Sequence, residues 1–226
     1  MNYPTKWLQG ASLGEKISCE LRLQIIKGSI YPGTVLSENQ IAADFGTSRS
    51  PVREALKVLS NEGLIRLERM GATVLGLNER DIEELYDVRF LLESFALQRI
   101  VAHFDDTKAA LYYQIIDKME LNAKYGDYID FSYSDLLFHE NIIKEANHFR
   151  ILHMWDQIRH IVLTLLLVAT EKRFLEKKEE ILSLPAKHRA LIEALCSKDV
   201  GYINRLVQEH FKDTKNTVIN AYFSKD

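Results

Sequence analysis

Asp135 and His139 stand four residues apart in Asp-Leu-Leu-Phe-His, a spacing that puts a carboxylate and an imidazole on one side of a helix. His188 falls in the first turn of an expected helix and His210 in the middle of the next. Antiparallel packing of those two helices could bring both rings to one point. Three neutral imidazoles and one carboxylate suit zinc, nickel or a similar divalent cation. On spacing alone the ordinary reading of surface neighbours stays open beside the metal one. His103, His148, His153 and His160 show no such convergence.

A second group lies near the N-terminus, in Thr47-Ser48-Arg49-Ser50-Pro51-Val52-Arg53. Ser48 and Ser50 offer hydroxyls and helix-start amides for phosphate, and Arg49 and Arg53, four apart, share a face from which guanidinium groups can fork onto guanine O6 and N7. Lys57 extends that face. The alternative is a solvated basic helix in some other small domain.

The elements that must position these groups follow from periodicity and punctuation. Leu13, Ile17, Leu21 and Ile25 recur every four residues and predict a helix over about 11–27, ended by Gly28 and Pro32-Gly33. A short helix is expected over 37–45, with Ser37 and Gln40 as a capping box and Gly46 as its stop. A third begins near Ser48, tolerates Pro51 in its first turn, and turns Val52, Ala55, Leu56 and Leu59 inward before Asn61 and Gly63. Leu64 to Leu75 reads as a two-stranded ribbon around Glu68-Arg69-Met70-Gly71. Beyond Asn78 the pattern is helical throughout, over about 79–103, 107–124, 127–146, 148–179, 185–197 and 199–223, with Gly126, Pro185 and Lys198-Asp199 as the clearest breaks. The expected fold is mainly α: a winged helix-turn-helix with a small β-wing in residues 1–76, then an all-helical bundle of six helices in residues 77–226.

Composition fits a globular protein of two modest domains, with 46% hydrophobic and 27% charged residues. The net charge of −3 is unevenly spread, with 9 Lys and Arg against 7 Asp and Glu up to residue 76, and 20 against 25 after it. That asymmetry has the sign a DNA-binding head requires. The apolar stretch from Ile161 to Ala169 is too short to cross a bilayer and is expected as a buried helix segment, so no membrane partner is foreseen. The first residues carry no export pattern, and two distant cysteines, Cys19 and Cys196, fit a reducing cytoplasm.

Pro32-Gly33, Leu36-Ser37-Glu38, Ile41-Ala42, Phe45-Gly46, Ser48-Arg49, Pro51 to Leu56, Leu59 and Glu62-Gly63-Leu64-Ile65 together resemble the winged helix of the GntR family of bacterial regulators. The resemblance implies that this segment docks in the major groove of double-stranded operator DNA with the wing tip near the minor groove, and implicates Arg49, Ser50, Arg53 and Gly71. Asn39 stands where family members often carry Arg, and can itself reach phosphate or adenine. Asp135, His139, Asn147, His188 and His210 are similar, in order and approximate spacing, to the metal pattern of the FadR-type subfamily, whose effector domain is the all-helical FCD type. That likeness implies Asp135, His139, His188 and His210 as ligands of a divalent ion, zinc or nickel by donor type. It also implies Arg89, in Tyr86-Asp87-Val88-Arg89, as a holder of an effector carboxylate, with Arg159 as a second candidate. An internal ion pair of Arg89 with Glu93 is the alternative.

Further segments, Tyr3 to Leu8, Ile65 to Ala72 and Tyr86 to Glu93, are similar to members that answer to gluconate or a related sugar acid. The expected protein is therefore a homodimeric repressor, not an enzyme, released from its operator by a small carboxylic acid bound at the metal. The rival readings are a metal-dependent hydrolase or lyase on the bundle and a regulator that senses the metal or a different carboxylate. Catalysis would need an open coordination position and a separate acid or base, and no such group stands out.

Overall fold

The computed structural model describes residues 2–69, 71–176 and 178–223. Met70, in the expected wing turn, and Lys177, in the expected helix over 148–179, lie outside them. The chain divides into two compact units, one up to Asn78 and one from Glu79 onward.

In the first unit, a 3-10 turn (Thr5–Leu8) precedes α1 (Leu13–Ile26). The start of α1 is fixed by a reciprocal cap: Glu15 N–H donates to Ser12 Oγ and Ser12 N–H donates to Glu15 Oε2 at 2.7 Å. Ile17, Leu21 and Ile25 face the core, whereas Leu13, expected on the same stripe, is exposed at the first residue of the helix. Arg22 is buried and forks two 2.7 Å hydrogen bonds onto the Glu62 carboxylate, tying α1 to the end of α3.

The supporting helix is α2 (Glu38–Asp44) and the reading helix α3 (Arg49–Asn61). Val52, Ala55, Leu56 and Leu59 are buried on α3 as their spacing requires. The capping box expected at Ser37 is only half made. Ser37 Oγ accepts from Gln40 N–H at 3.5 Å, but the Gln40 amide donates to Asp44 instead. Ser37 also ends a strand that the sequence reading missed: β1 (Val35–Ser37) pairs antiparallel with β3 (Gly71–Val74), which pairs with β2 (Ile65–Glu68). The ribbon is thus a three-stranded sheet in the order β1-β3-β2. Three residues with only Leu36 buried give too short an alternation to announce a strand.

Gly71 explains how the sheet closes. It lies opposite Ser37 at φ +152°, and a Cβ there would stand 1.9 Å from the Leu36 carbonyl oxygen. Gly71→Ala is therefore expected to push β1 off β3 and cost about 1–3 kcal/mol. Thermal unfolding of the purified variant checks this, and an unchanged midpoint contradicts it.

The second unit consists of α4 (Glu79–Ile100), a 3-10 turn (Val101–His103), α5 (Asp106–Tyr125), α6 (Tyr128–Glu145), α7 (Phe149–Glu176), α8 (Lys178–Ser197) and α9 (Val200–Phe223). Gly126 closes α5 in the left-handed conformation, and Asn147 and Lys198, at φ +45° and +58°, turn the chain between later helices. Asn147, part of the metal resemblance, is an exposed turn residue. Pro185, expected to break the chain, instead sits inside α8, so that helix begins a full seven residues earlier than its punctuation suggested. Proline there removes one backbone hydrogen bond but does not end a helix held by packing on both sides. By length and composition α7 is apolar enough to cross a membrane. Its residues Ile161 to Leu167, with Ala169 and Thr170, are buried, and the helix packs on α4, α6, α8 and α9 in the manner of a core helix.

Candidate metal centre and nucleic-acid interface

Within the bundle, α6 supplies Asp135 and His139, α8 supplies His188 and α9 supplies His210. The coordinating nitrogens of the three histidines lie within 4.8 Å of one another. His139 Nε2 is 3.2 Å from His210 Nε2 and 3.9 Å from Asp135 Oδ1, and His188 Nε2 is 2.9 Å from the same oxygen. Donors about 2.0–2.2 Å from one ion are separated by roughly 3 Å or a little more, so these spacings fit a shared cation. Two imidazole nitrogens 3.2 Å apart need either a proton or a cation between them.

The outward nitrogens are engaged in the way that frees the inner ones. His188 Nδ1 donates to the Leu184 carbonyl at 2.9 Å, and His139 Nδ1 donates to the Glu93 carboxylate. Each bond fixes a tautomer whose Nε2 keeps its lone pair toward the cluster. Glu93 also accepts from Arg89 Nε at 2.8 Å, which makes a buried chain from Arg89 through Glu93 to His139.

Protonation states match this role. Burial lowers the pKa of His210, with His188 and His139 adding to the effect, and burial likewise lowers that of His139. Asp135 is opposed by its burial, but His188, His139 and Arg89 outweigh that cost and hold its carboxyl well below the usual range. His139 and His210 biased toward the neutral form, beside a carboxylate biased toward its charged form, suit a divalent ion.

The two arginines expected to meet an effector lie in different surroundings. Arg89 is fully buried between the rings of Tyr86 and Phe211, and it makes the internal pair with Glu93. Its Nη1 and Nη2 have no hydrogen-bond partner. Arg159 pairs with Glu140 on α6 at 2.9 Å and does not line the cavity beside the cluster, because its place on α7 is about two turns before the first wall residue, Leu166. That cavity, about 30 Å³, is walled by Asp135, His188 and His210 together with Thr170, Arg173 and Thr214. Sequence reasoning missed these last three. The signal was present as helical spacing: Ala169, Thr170 and Arg173 on α7, and His210, Thr214 and Thr217 on α9, are neighbours on one face.

In the first unit Ser48, Arg49, Ser50, Arg53 and Lys57 are exposed along the start and outer face of α3, and Asn39 is exposed on α2. The N-cap Ser48 spends no side-chain hydrogen bond on its own helix. Arg53 is 59% exposed and donates from Nε to Glu38 at 2.9 Å. Gly71 departs from the expected contact role, being buried against β1 and not presented at the tip. The cations at the wing are Arg66 and Arg69, both exposed, which the sequence reading had not named as site residues.

Residues 13–75 match the family described as "Bacterial regulatory proteins, gntR family", and residues 84–213 match the FCD domain. The chain is 41% identical over 223 residues to the gluconate operon transcriptional repressor of Bacillus subtilis (strain 168) and 40% identical over 223 residues to that of Bacillus licheniformis, in both cases over 99% of this chain and 92% of the relative. Among solved structures, Escherichia coli McbR/YncC shares the fold with a TM-score of 0.71 at 21% identity, over 94% of this chain and 99% of that one.

Proposed function

Because the chain belongs to the GntR family of bacterial regulatory proteins and carries an FCD domain, we propose that it is a cytoplasmic, homodimeric repressor released from operator DNA by gluconate or a similar sugar acid. The observation that carries the reading is the convergence of buried Asp135, His139 and His188 and half-buried His210 on one point beside a cavity, in a chain whose other unit is a winged helix. Its likeness to two gluconate operon repressors over nearly its whole length supports the choice of acid.

Asp135, His139, His188 and His210 would hold a divalent ion, zinc or nickel by donor type, which supplies Lewis acidity toward a carboxylate and an adjacent hydroxyl. Glu93 and Leu184 orient two of the imidazoles. Arg89 holds Glu93 and carries two further buried donors, Nη1 and Nη2, toward an acid at this site. In the other unit Arg49 and Arg53 read base edges, while Ser48, Ser50 and Asn39 meet phosphates and adjacent bases. Two such heads on a two-fold axis read a near-palindromic operator, and the acid favours an arrangement of the dimer that no longer matches the half-sites.

Tenfold release requires about 1.4 kcal/mol of differential acid binding between the two arrangements. Gel shifts on the DNA flanking its own gene, at fixed salt, test this. The expected result is at least about tenfold weaker binding with gluconate on the metal-loaded protein, abolished by chelator. Operator affinity unmoved by gluconate refutes release.

A further inference from the structure

The cavity beside the histidines, at about 30 Å³, has room for a head group the size of one or two waters and for nothing longer. Its wall at Ala169, Arg173 and Thr217 is shared with a second cavity of about 470 Å³ between α7, α8 and α9. Arg173 and Thr217 therefore stand between a head seated at Asp135, His188 and His210 and the larger, polar space. Building on the acid-sensing reading above, we propose that this outer cavity receives the hydroxyl-bearing tail of the effector, and that Arg173 at its threshold selects polyhydroxylated acids over aliphatic ones.

The lining carries the argument. Apart from Ala169 and Ala221, the described residues around the outer cavity are polar. Ser183, Asn216, Thr217 and Asn220 present neutral donors and acceptors from two helices. The Thr217 hydroxyl donates to the Asp213 carbonyl at 2.8 Å, which turns its lone pairs to serve as acceptors. Arg173 is only 12% exposed and gives Nε and Nη2 to the same oxygen of Glu180, both at 3.0 Å. A paired guanidinium and carboxylate at a cavity mouth offers both donors and acceptors without a net charge, the chemistry that vicinal hydroxyls match. A second pair, Lys187 with Asp213 at 2.5 Å, balances the opposite wall. An aliphatic tail laid here strips these groups of water without replacing the hydrogen bonds, whereas a chain of hydroxyls replaces them one for one.

The test is calorimetric titration of the metal-loaded, full-length protein with gluconate and with hexanoate, two acids of equal carbon number and charge. The wild type is expected to bind gluconate at least about tenfold more tightly. Arg173→Met should narrow that ratio at least about fivefold, and Asn220→Ala, an exposed change outside the core, at least about twofold. A ratio unchanged in both variants, or a wild type that prefers hexanoate, overturns the proposal, as does equal weakening of both acids in both variants. Should Arg173→Met not fold, the ratio in Asn220→Ala decides. Binding of neither acid by the wild type overturns the acid-sensing reading itself, a result distinct from loss of selectivity.

Discussion

Arg49→Ala combined with Arg53→Ala weakens binding to the operator fragment by about 2–6 kcal/mol, roughly 30- to 20,000-fold, since each fork onto a guanine contributes about 1–3 kcal/mol. Both side chains are exposed on α3 beside the buried stripe of Val52, Leu56 and Leu59, so their loss removes recognition without emptying the core. The ion pair of Arg53 with Glu38 does not prevent this role. It is an exposed contact on the arginine side, and such pairs contribute no more than about 1 kcal/mol, less than a base fork. Replacing Glu38 alone releases Arg53 and should leave operator affinity equal or better. Fluorescence anisotropy on labelled operator at fixed salt measures the loss, and thermal unfolding within about 0.5 kcal/mol of wild type establishes that the fold survives. Retained affinity in the double variant removes α3 as the reading helix.

His210→Ala abolishes stabilisation by zinc or nickel. Removing His210 leaves the Arg89–Glu93–His139 chain and the Leu184 bond to His188 intact, so the variant isolates ligation from support. A ligand present at 1,000 times its Kd stabilises the folded state by about 4 kcal/mol, which a melting curve resolves readily. The wild type should therefore lose a rise in midpoint on chelation, and His210→Ala should show no rise to lose. Glu93→Gln acts one shell further out, and its expected cost is about 10–100-fold in ion affinity. An identical response of His210→Ala and wild type to added ion contradicts ligation by the cluster.

The residues that could be read from sequence are those whose spacing carries their chemistry. Asp135 and His139 announce themselves because four residues span one helical turn, and Arg49 with Arg53 for the same reason. His188 and His210 joined the set through the expected antiparallel packing of their helices, which the order of residues in the family resemblance then reinforced. What stayed hidden needed the third dimension. Glu93 is legible as a partner of Arg89, but its bond to His139 crosses 46 residues. Thr170, Arg173 and Thr214 carry no local signature, since a threonine or arginine on a helix is ordinary until a cavity opens beside it. Arg159 failed as a candidate because the register of α7 against α6 delivers it to Glu140. Pro185 misled for a related reason: local punctuation argues for a break, and tertiary packing of α8 overrides it. Gly71 was legible as a glycine that mattered, but its reason is the carbonyl of Leu36 on a strand too short to foresee.

Linkage supplies the most direct measurement. If the acid loosens the grip on DNA, the DNA must loosen the grip on the acid by the same factor. Calorimetric titration of gluconate into metal-loaded protein, once free and once saturated with operator fragment, is predicted to give affinities differing by at least about tenfold, weaker on the operator. Equal affinities in the two titrations contradict the coupling between Asp135, His139, His188 and His210 and the helix that carries Arg49 and Arg53.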